Sequence, residues 1–229
     1  MSNYSKIINR NNVNYEVYEN IKKFIIKYRN FELIEPDSSE NFLKKDEFLK
    51  EMMSQQYVIT ICTNPKDGKK VFIVLIEKES KYVKKTENFR KLLEKIESEL
   101  EDDDSDVYLY LITENPLSSY AKKALKKYPN FIIKNYLHEN FNIEISDGPW
   151  VDPQRILSKE EEKELCSKHM KINPLSLPGI RINDPVCIWL GAEIGDIIES
   201  TRRSEITLNS TVYRIVSPET GKTFTNLTS

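Results

Sequence analysis

Apolar residues at Val17, Tyr18, Ile21, Phe24, Ile25 and Tyr28 recur at the spacing of one helical face, which predicts an amphipathic helix from Tyr15 to Tyr28. Phe31 to Asn41, with Pro36-Asp37-Ser38-Ser39 inside it, reads as a loop. A second short helix is expected over Leu43 to Met53, with Phe48, Leu49, Met52 and Met53 turned inward. The pattern then changes. Tyr57 to Cys62 and Lys70 to Glu77 are nearly continuous apolar runs on either side of Asn64-Pro65-Lys66-Asp67-Gly68, the signature of a hairpin covered on both faces. Phe89, Leu92, Leu93, Ile96 and Leu100 mark a third helix, and Val107 to Thr113 a third strand. Asn115-Pro116-Leu117-Ser118-Ser119 breaks the chain before a helix that turns Ala121, Ala124, Leu125 and Tyr128 inward. A strand from Phe131 to Asn135 follows, and an edge strand from Asn142 to Ser146 is expected to close this half.

Turn formers cluster at Asp147-Gly148-Pro149-Trp150-Val151-Asp152-Pro153, so the chain divides into domains at 1–147 and 148–229. In the second domain, Ser158-Lys159-Glu160-Glu161 is a capping box that opens a helix to about His169. Asp184 caps another helix, with Pro185 in its first turn; it carries Val186, Ile188, Trp189 and Leu190 and stops at Gly191. Gly195 leads into a strand through Ile197 and Ile198. Arg202-Arg203-Ser204-Glu205 reads as a polar turn, and Thr211 to Val216 as the returning strand.

Composition narrows the chemistry. A net charge of −2 means that bulk electrostatics will not draw this protein to a polyanion; any nucleic-acid contact must come from a local basic patch. Cys62, Cys166 and Cys187 are widely spaced, with no CxxC, and read as thiols of a reducing compartment. No apolar run approaches the ~20 residues of a membrane-spanning helix, and MSNYSKIINRNN lacks the apolar core of a secretion signal. The expected location is therefore inside a cell or a particle made within one. His138 and His169 fall in different domains and read as helix surface or satisfied core, and the acidic run Glu101 to Asp104 reads as a solvated loop. Phosphate-loop, dinucleotide and serine-hydrolase motifs are absent.

One basic patch stands out. On a helix, Lys122/Lys126 and Lys123/Lys127 are i,i+4 pairs and would form a ridge opposite the inward face. The loop before them, with Asn115, Pro116, Ser118 and Ser119, would bring amides to the surface for a phosphate. Such contacts carry no sequence preference. The same residues also suit a plain solvated face.

Several short strings in the second domain belong together. They are Leu177-Pro178-Gly179-Ile180, Asp184-Pro185-Val186, Leu190-Gly191, Gly195-Asp196-Ile197-Ile198, Arg202-Arg203-Ser204-Glu205 and Tyr213-Arg214-Ile215-Val216. In this order and spacing they resemble the C-terminal assembly domain of the fifth subunit of eukaryotic nuclear RNA polymerases, a family that has an archaeal counterpart. Gly179 stands where that family has arginine and Arg203 where it has proline, and thirteen residues follow Val216. The resemblance is close over 148–216 and rests on element order before that.

The resemblance implies an α+β/α/β architecture: an N-terminal jaw domain with a mixed sheet flanked by helices, like the core of restriction endonucleases, and a small α+β assembly domain. It implies a non-catalytic polymerase subunit that binds no cofactor of its own. The expected partners are the largest subunit, other core subunits and downstream duplex DNA, with no membrane and no small-molecule substrate. Arg181, Asp184, Pro185, Trp189, Arg202, Arg203, Glu205 and Arg214 become candidates for the subunit interface, although Trp189 also suits the filling of the domain's own core. The 115–119 loop and the lysines become candidates for DNA contact, since a T-P-S-A loop of the family lies near downstream DNA. The place of action would be a nucleus, or a virion or viral factory if the lysine-, asparagine- and isoleucine-rich chain comes from a large DNA virus.

Two other readings compete: a nuclease-like DNA-binding protein, and a regulatory adaptor that borrows the assembly domain. A nuclease of the endonuclease class needs an acidic-x-Lys pair on a strand beside another carboxylate, to hold magnesium and support the attacking water. Here Asp67 lies in the expected hairpin turn. Glu77 and Lys78 are adjacent, so they would point to opposite faces of an extended chain.

Overall fold

The computed structural model describes residues 14–34, 42–77, 86–100, 106–145, 151–169, 173–204 and 208–218. The chain forms two units, 1–143 and 144–229. Both are mixed α/β structures, each with its own sheet.

In the first unit, a helix over 14–23 (α1) ends in a π-turn, Phe24–Tyr28. There follow β1 (Glu32–Leu33), α2 (Lys45–Gln55), β2 (Tyr57–Thr63), β3 (Lys70–Ile76), α3 (Thr86–Ser98), β4 (Val107–Thr113), α4 (Ser119–Leu125) and β5 (Phe131–Leu137). The strands form one sheet in the order β1-β2-β3-β4-β5. β1 to β3 run antiparallel, while β3, β4 and β5 are parallel because helices cross between them. Alternation along the strands makes two apolar faces. One packs Phe72, Val74, Leu109 and Leu111 against Phe89, Leu92, Leu93 and Ile96 of α3 and Ala121, Ala124 and Leu125 of α4. On α1, Tyr18 stacks on Phe48 of α2 at 4.7 Å between ring centres.

The β2–β3 turn is built by its own polar side chains. Asn64 Oδ1 accepts from the Lys66 amide at 3.1 Å and Asp67 Oδ1 from the Lys69 amide at 3.2 Å, while Gly68 takes a positive φ of 69°.

Three expectations change here. The stretch from Asn142 is not a strand: His138–Phe141 forms a 3-10 turn, and 142–145 is irregular. His138 and Phe141 are both buried, and side chains three positions apart can share a side on a helical turn but not on a strand. His138 Nε2 lies 2.8 Å from the Ile76 carbonyl oxygen. The edge strands are instead β5 and β1, the latter formed where Glu32 and Leu33 pair with Thr63 and Cys62 inside the expected loop. Met53, expected inward, is 72% exposed, because α2 buries the i,i+4 pair Phe48 and Met52.

The second unit contains β6 (Gln154–Ile156), α5 (Lys159–Glu164) running into a π-turn, Leu165–His169, β7 (Gly179–Arg181), α6 (Pro185–Leu190), β8 (Ile197–Ser204) and β9 (Leu208–Ser217). The sheet order is β6-β8-β9-β7. Adjacent residues feed opposite faces. Ile197 and Ile215 pack with Leu157, Leu165 and Leu177, whereas Ile198 and Val216 pack with Ile180, Cys187 and Ala192. Asp184 Oδ1 accepts from the Val186 amide at 2.9 Å, and Gly191 ends α6 with a φ of 71°. The Ser158 capping box forms as expected. The arginine turn does not. Arg202, Arg203 and Ser204 continue β8, paired with Ser210, Asn209 and Leu208, and Glu205, in the expected turn, lies outside the described residues.

Candidate nucleic-acid and subunit interfaces

The loop between β4 and α4 is held from β5. Asn135 donates through Nδ2 to the Leu111 carbonyl at 3.0 Å and to Thr113 Oγ1 at 2.9 Å, and its Oδ1 accepts from the Leu117 amide at 3.3 Å. Thr113 Oγ1 in turn donates to the Asn115 carbonyl at 2.7 Å. Leu117 is buried as the anchor, leaving Asn115 and Pro116 exposed. Ser118 caps α4, its Oγ accepting from the Ala121 amide at 3.2 Å, and Ser119 is exposed just beyond. Sequence reading missed Asn135. The only signal was a polar residue at the end of an apolar strand.

Lys122, Lys123, Lys126 and Lys127 are all exposed. The helix is shorter than the ridge requires, since Lys126 is its C-cap and Lys127 lies in the following turn. Lys126 keeps an amide contact to the Lys122 carbonyl at 3.4 Å, but the Lys127 amide closes back on Ala124 at 3.1 Å. The segment thus gathers the DNA-contact candidates on one loop and helix without the regular double row.

The interface candidates divide by face. Ile198, Ser200 and Arg202 alternate along β8, and their partners on β9 are Arg214, Val212 and Ser210. Arg202 and Arg214 therefore share the face of Ile198, on the α6 side. Arg202 is exposed, with Nε 3.6 Å from Asp152 Oδ2, and Arg214 is half-buried. Arg181 is exposed on β7 opposite Ser217, on the other face. Pro185 is exposed, and Asp184 is committed to capping α6. Trp189 is 0% exposed, so it presents no surface to a partner. The Arg203 side chain and Glu205 lie outside the described residues. Gly179 is exposed, and a Cβ there would meet Ser217 Oγ at 3.4 Å, an ordinary contact. The backbone at Gly179 therefore has room for a Cβ.

On the α5 side, an ionic lattice ties the sheet together. Arg155 binds Glu199 at 2.6 Å and Glu161 at 2.9 Å, while Lys159 bridges Glu162 and Asp196. The hydrogen bond from Arg155, helped by the Ser158 amide, pulls the Glu161 carboxyl down to about 2.

The nuclease geometry fails. Asp67 accepts from Tyr108 Oη at 2.8 Å in the turn before β3, and Glu77 is buried just past the strand's other end. Seven residues of strand separate them by roughly 20 Å, too far to share one ion. Lys78 lies outside the described residues. Among the described residues no cluster of histidine, cysteine or carboxylate could hold a metal. All three cysteines are free, and burial pushes the Cys62 and Cys187 thiols up to about 12, away from nucleophilic use.

The family described as RNA polymerase Rpb5, C-terminal domain, matches residues 143–216. The DNA-directed RNA polymerase subunit Rpo5 of Pyrococcus horikoshii is 50% identical over 66 residues, covering 29% of this chain and 79% of the relative. This chain belongs to the Rpb5/Rpo5 family. The Sulfolobus acidocaldarius Rpo5 is 45% identical over 74 residues, 32% of this chain and 87% of the relative. For the Methanosarcina mazei Rpo5 the figures are 38% over 70 residues, 31% and 88%. The strings from Leu177 to Val216 all lie inside the matched Rpb5 region, so the resemblance read from them is borne out. Family membership also bears out the reading of a polymerase subunit that is not itself the catalyst. Among the described residues, no helix is long and apolar enough to cross a membrane.

Proposed function

We propose that this chain is a non-catalytic subunit of a DNA-directed RNA polymerase whose C-terminal unit anchors it on the largest subunit and whose N-terminal unit flanks downstream DNA. The observation that carries the anchoring role is the division of the match. The Rpb5 region falls at 143–216, almost wholly in the second unit, and the archaeal Rpo5 relatives are covered to between 79% and 88% of their own length. The part held in common with proteins named as polymerase subunits is therefore this small unit. Arg202 and Arg214, together on one face of the β8–β9 hairpin, supply planar donors for carboxylates or backbone carbonyls of a partner.

The DNA role rests on the 115–127 segment. Its exposed lysines and ordered loop suit phosphate contacts without base readout. The chain needs no cofactor in this role. Affinity purification of the tagged full-length chain from its source tests the reading. The two large polymerase subunits should co-purify in near-stoichiometric amount; recovery of the chain alone, or with a single regulatory protein, would favour the adaptor.

A further inference from the structure

On the α3–α4 face of the first unit, the helices cover β3, β4 and β5 but leave part of β2 open. Tyr57, Ile59 and Ile61 alternate onto this face, and Ile59 and Ile61 remain half-buried at the margin of the core. With Phe72 they form the floor of a cleft of about 200 Å³. Its rim comes from Glu51 and Gln55 of α2 and from Lys95 and Glu99 on the α3 side. Lys95 is already engaged: its Nζ lies 3.4 Å from Gln55 Oε1 and 5.7 Å from the centre of the Tyr57 ring.

We infer that this cleft is a docking site for a protein segment of another chain, in which an aliphatic side chain is flanked by lysine or arginine. Size is the first argument. The cleft is smaller than the roughly 300–1,000 Å³ of small-molecule sites, and it suits one branched side chain. Charge is the second. Glu51 and Glu99 stand at the rim against a single lysine, Lys95, which is held by Gln55 and the Tyr57 ring. This net negative rim disfavours phosphates and favours a basic segment. The lysines at 122–127 belong to a different element and play no part here. The inference goes beyond the polymerase reading and does not depend on it.

The test uses the full-length chain and fluorescein-labelled peptides read by anisotropy. One peptide carries paired isoleucines between lysines, a second the same isoleucines between glutamates, and a third paired serines between lysines. The first should bind, and the combined substitution Glu51→Lys with Glu99→Lys should weaken it by roughly tenfold or more. Both rim positions are solvent-accessible, and an unchanged thermal melt will show that the variant is folded. Equal binding of the glutamate or serine peptide overturns the inference, as does indifference to the charge reversal or no binding at millimolar peptide. Binding that arises only after residues 1–13 are removed assigns the cleft to the chain's own N-terminal segment, and equally overturns a site for another chain.

Discussion

Asn135 on β5 holds Leu117 in the loop after β4: its side-chain oxygen accepts the Leu117 amide at 3.3 Å while its Nδ2 donates to Leu111 and Thr113. One amide thus fixes both the end of β4 and the start of the segment that carries the proposed DNA contacts. Asn135→Ala strands the Leu117 amide and the Leu111 carbonyl lone pair, and should cost about 1–3 kcal/mol in urea unfolding. Hydrogen exchange at Leu117 and Ser118 should accelerate more than at Leu109. Equal acceleration at both would mean that Asn135 supports the sheet and not the loop.

Asp184 is a candidate for the subunit interface, yet its carboxylate is occupied in capping α6. Asp184→Ala should lower stability by about 1 kcal/mol, and Asp184→Asn should restore most of it. If the asparagine variant is as stable as wild type but fails to join the polymerase, the carboxylate charge has a partner beyond the helix.

Acid should weaken the second unit in a defined window. Glu161 is held well below its ordinary value by Arg155, to about 2. A depressed folded-state value means that its contribution is complete above about 4.5 and is lost as pH falls from there toward about 2. Arg155→Met removes the cause and should flatten the unfolding midpoint across that window relative to wild type. An unchanged pH profile would show that the exposed Arg155–Glu161 pair contributes nothing in solution.

Magnesium should elicit no cleavage of duplex or single-stranded DNA, because Asp67 and Glu77 lie at opposite ends of β3. Reproducible cleavage that disappears in Glu77→Ala would overturn the non-catalytic reading.

Local chemistry was legible in the sequence. The Asp184-Pro185 start and Gly191 stop of α6, and the Ser158–Glu161 box of α5, are decided by residues within one turn of each other. Long-range pairing was not. β1 exists because Glu32 and Leu33 meet Thr63 and Cys62, and β8 continues through Arg202 and Arg203 because Ser210 and Asn209 lie beside them. Backbone hydrogen bonds accept polar residues as readily as apolar ones, so hydropathy ended that strand too early. The same limit hid the sharing of a face by Arg202 and Arg214, which follows from the register. Trp189 reads either as an interface residue or as filling of the domain's own core, and the fold takes the second, burying it completely.

The division of labour between the units is tested most directly by comparing two variant polymerases. One carries Arg202→Ala with Arg214→Ala; the other carries alanine at Lys122, Lys123, Lys126 and Lys127. Losing an arginine from a buried interface costs roughly 2–5 kcal/mol, and each lost phosphate contact lowers the salt slope by about one. Subunit stoichiometry and elongation-complex lifetime are then measured across a salt series. The arginine variant should shed this subunit during purification, while the lysine variant should keep it but hold DNA less tightly, with weaker salt dependence. Loss of the subunit from the lysine variant and its retention in the arginine variant would contradict the account.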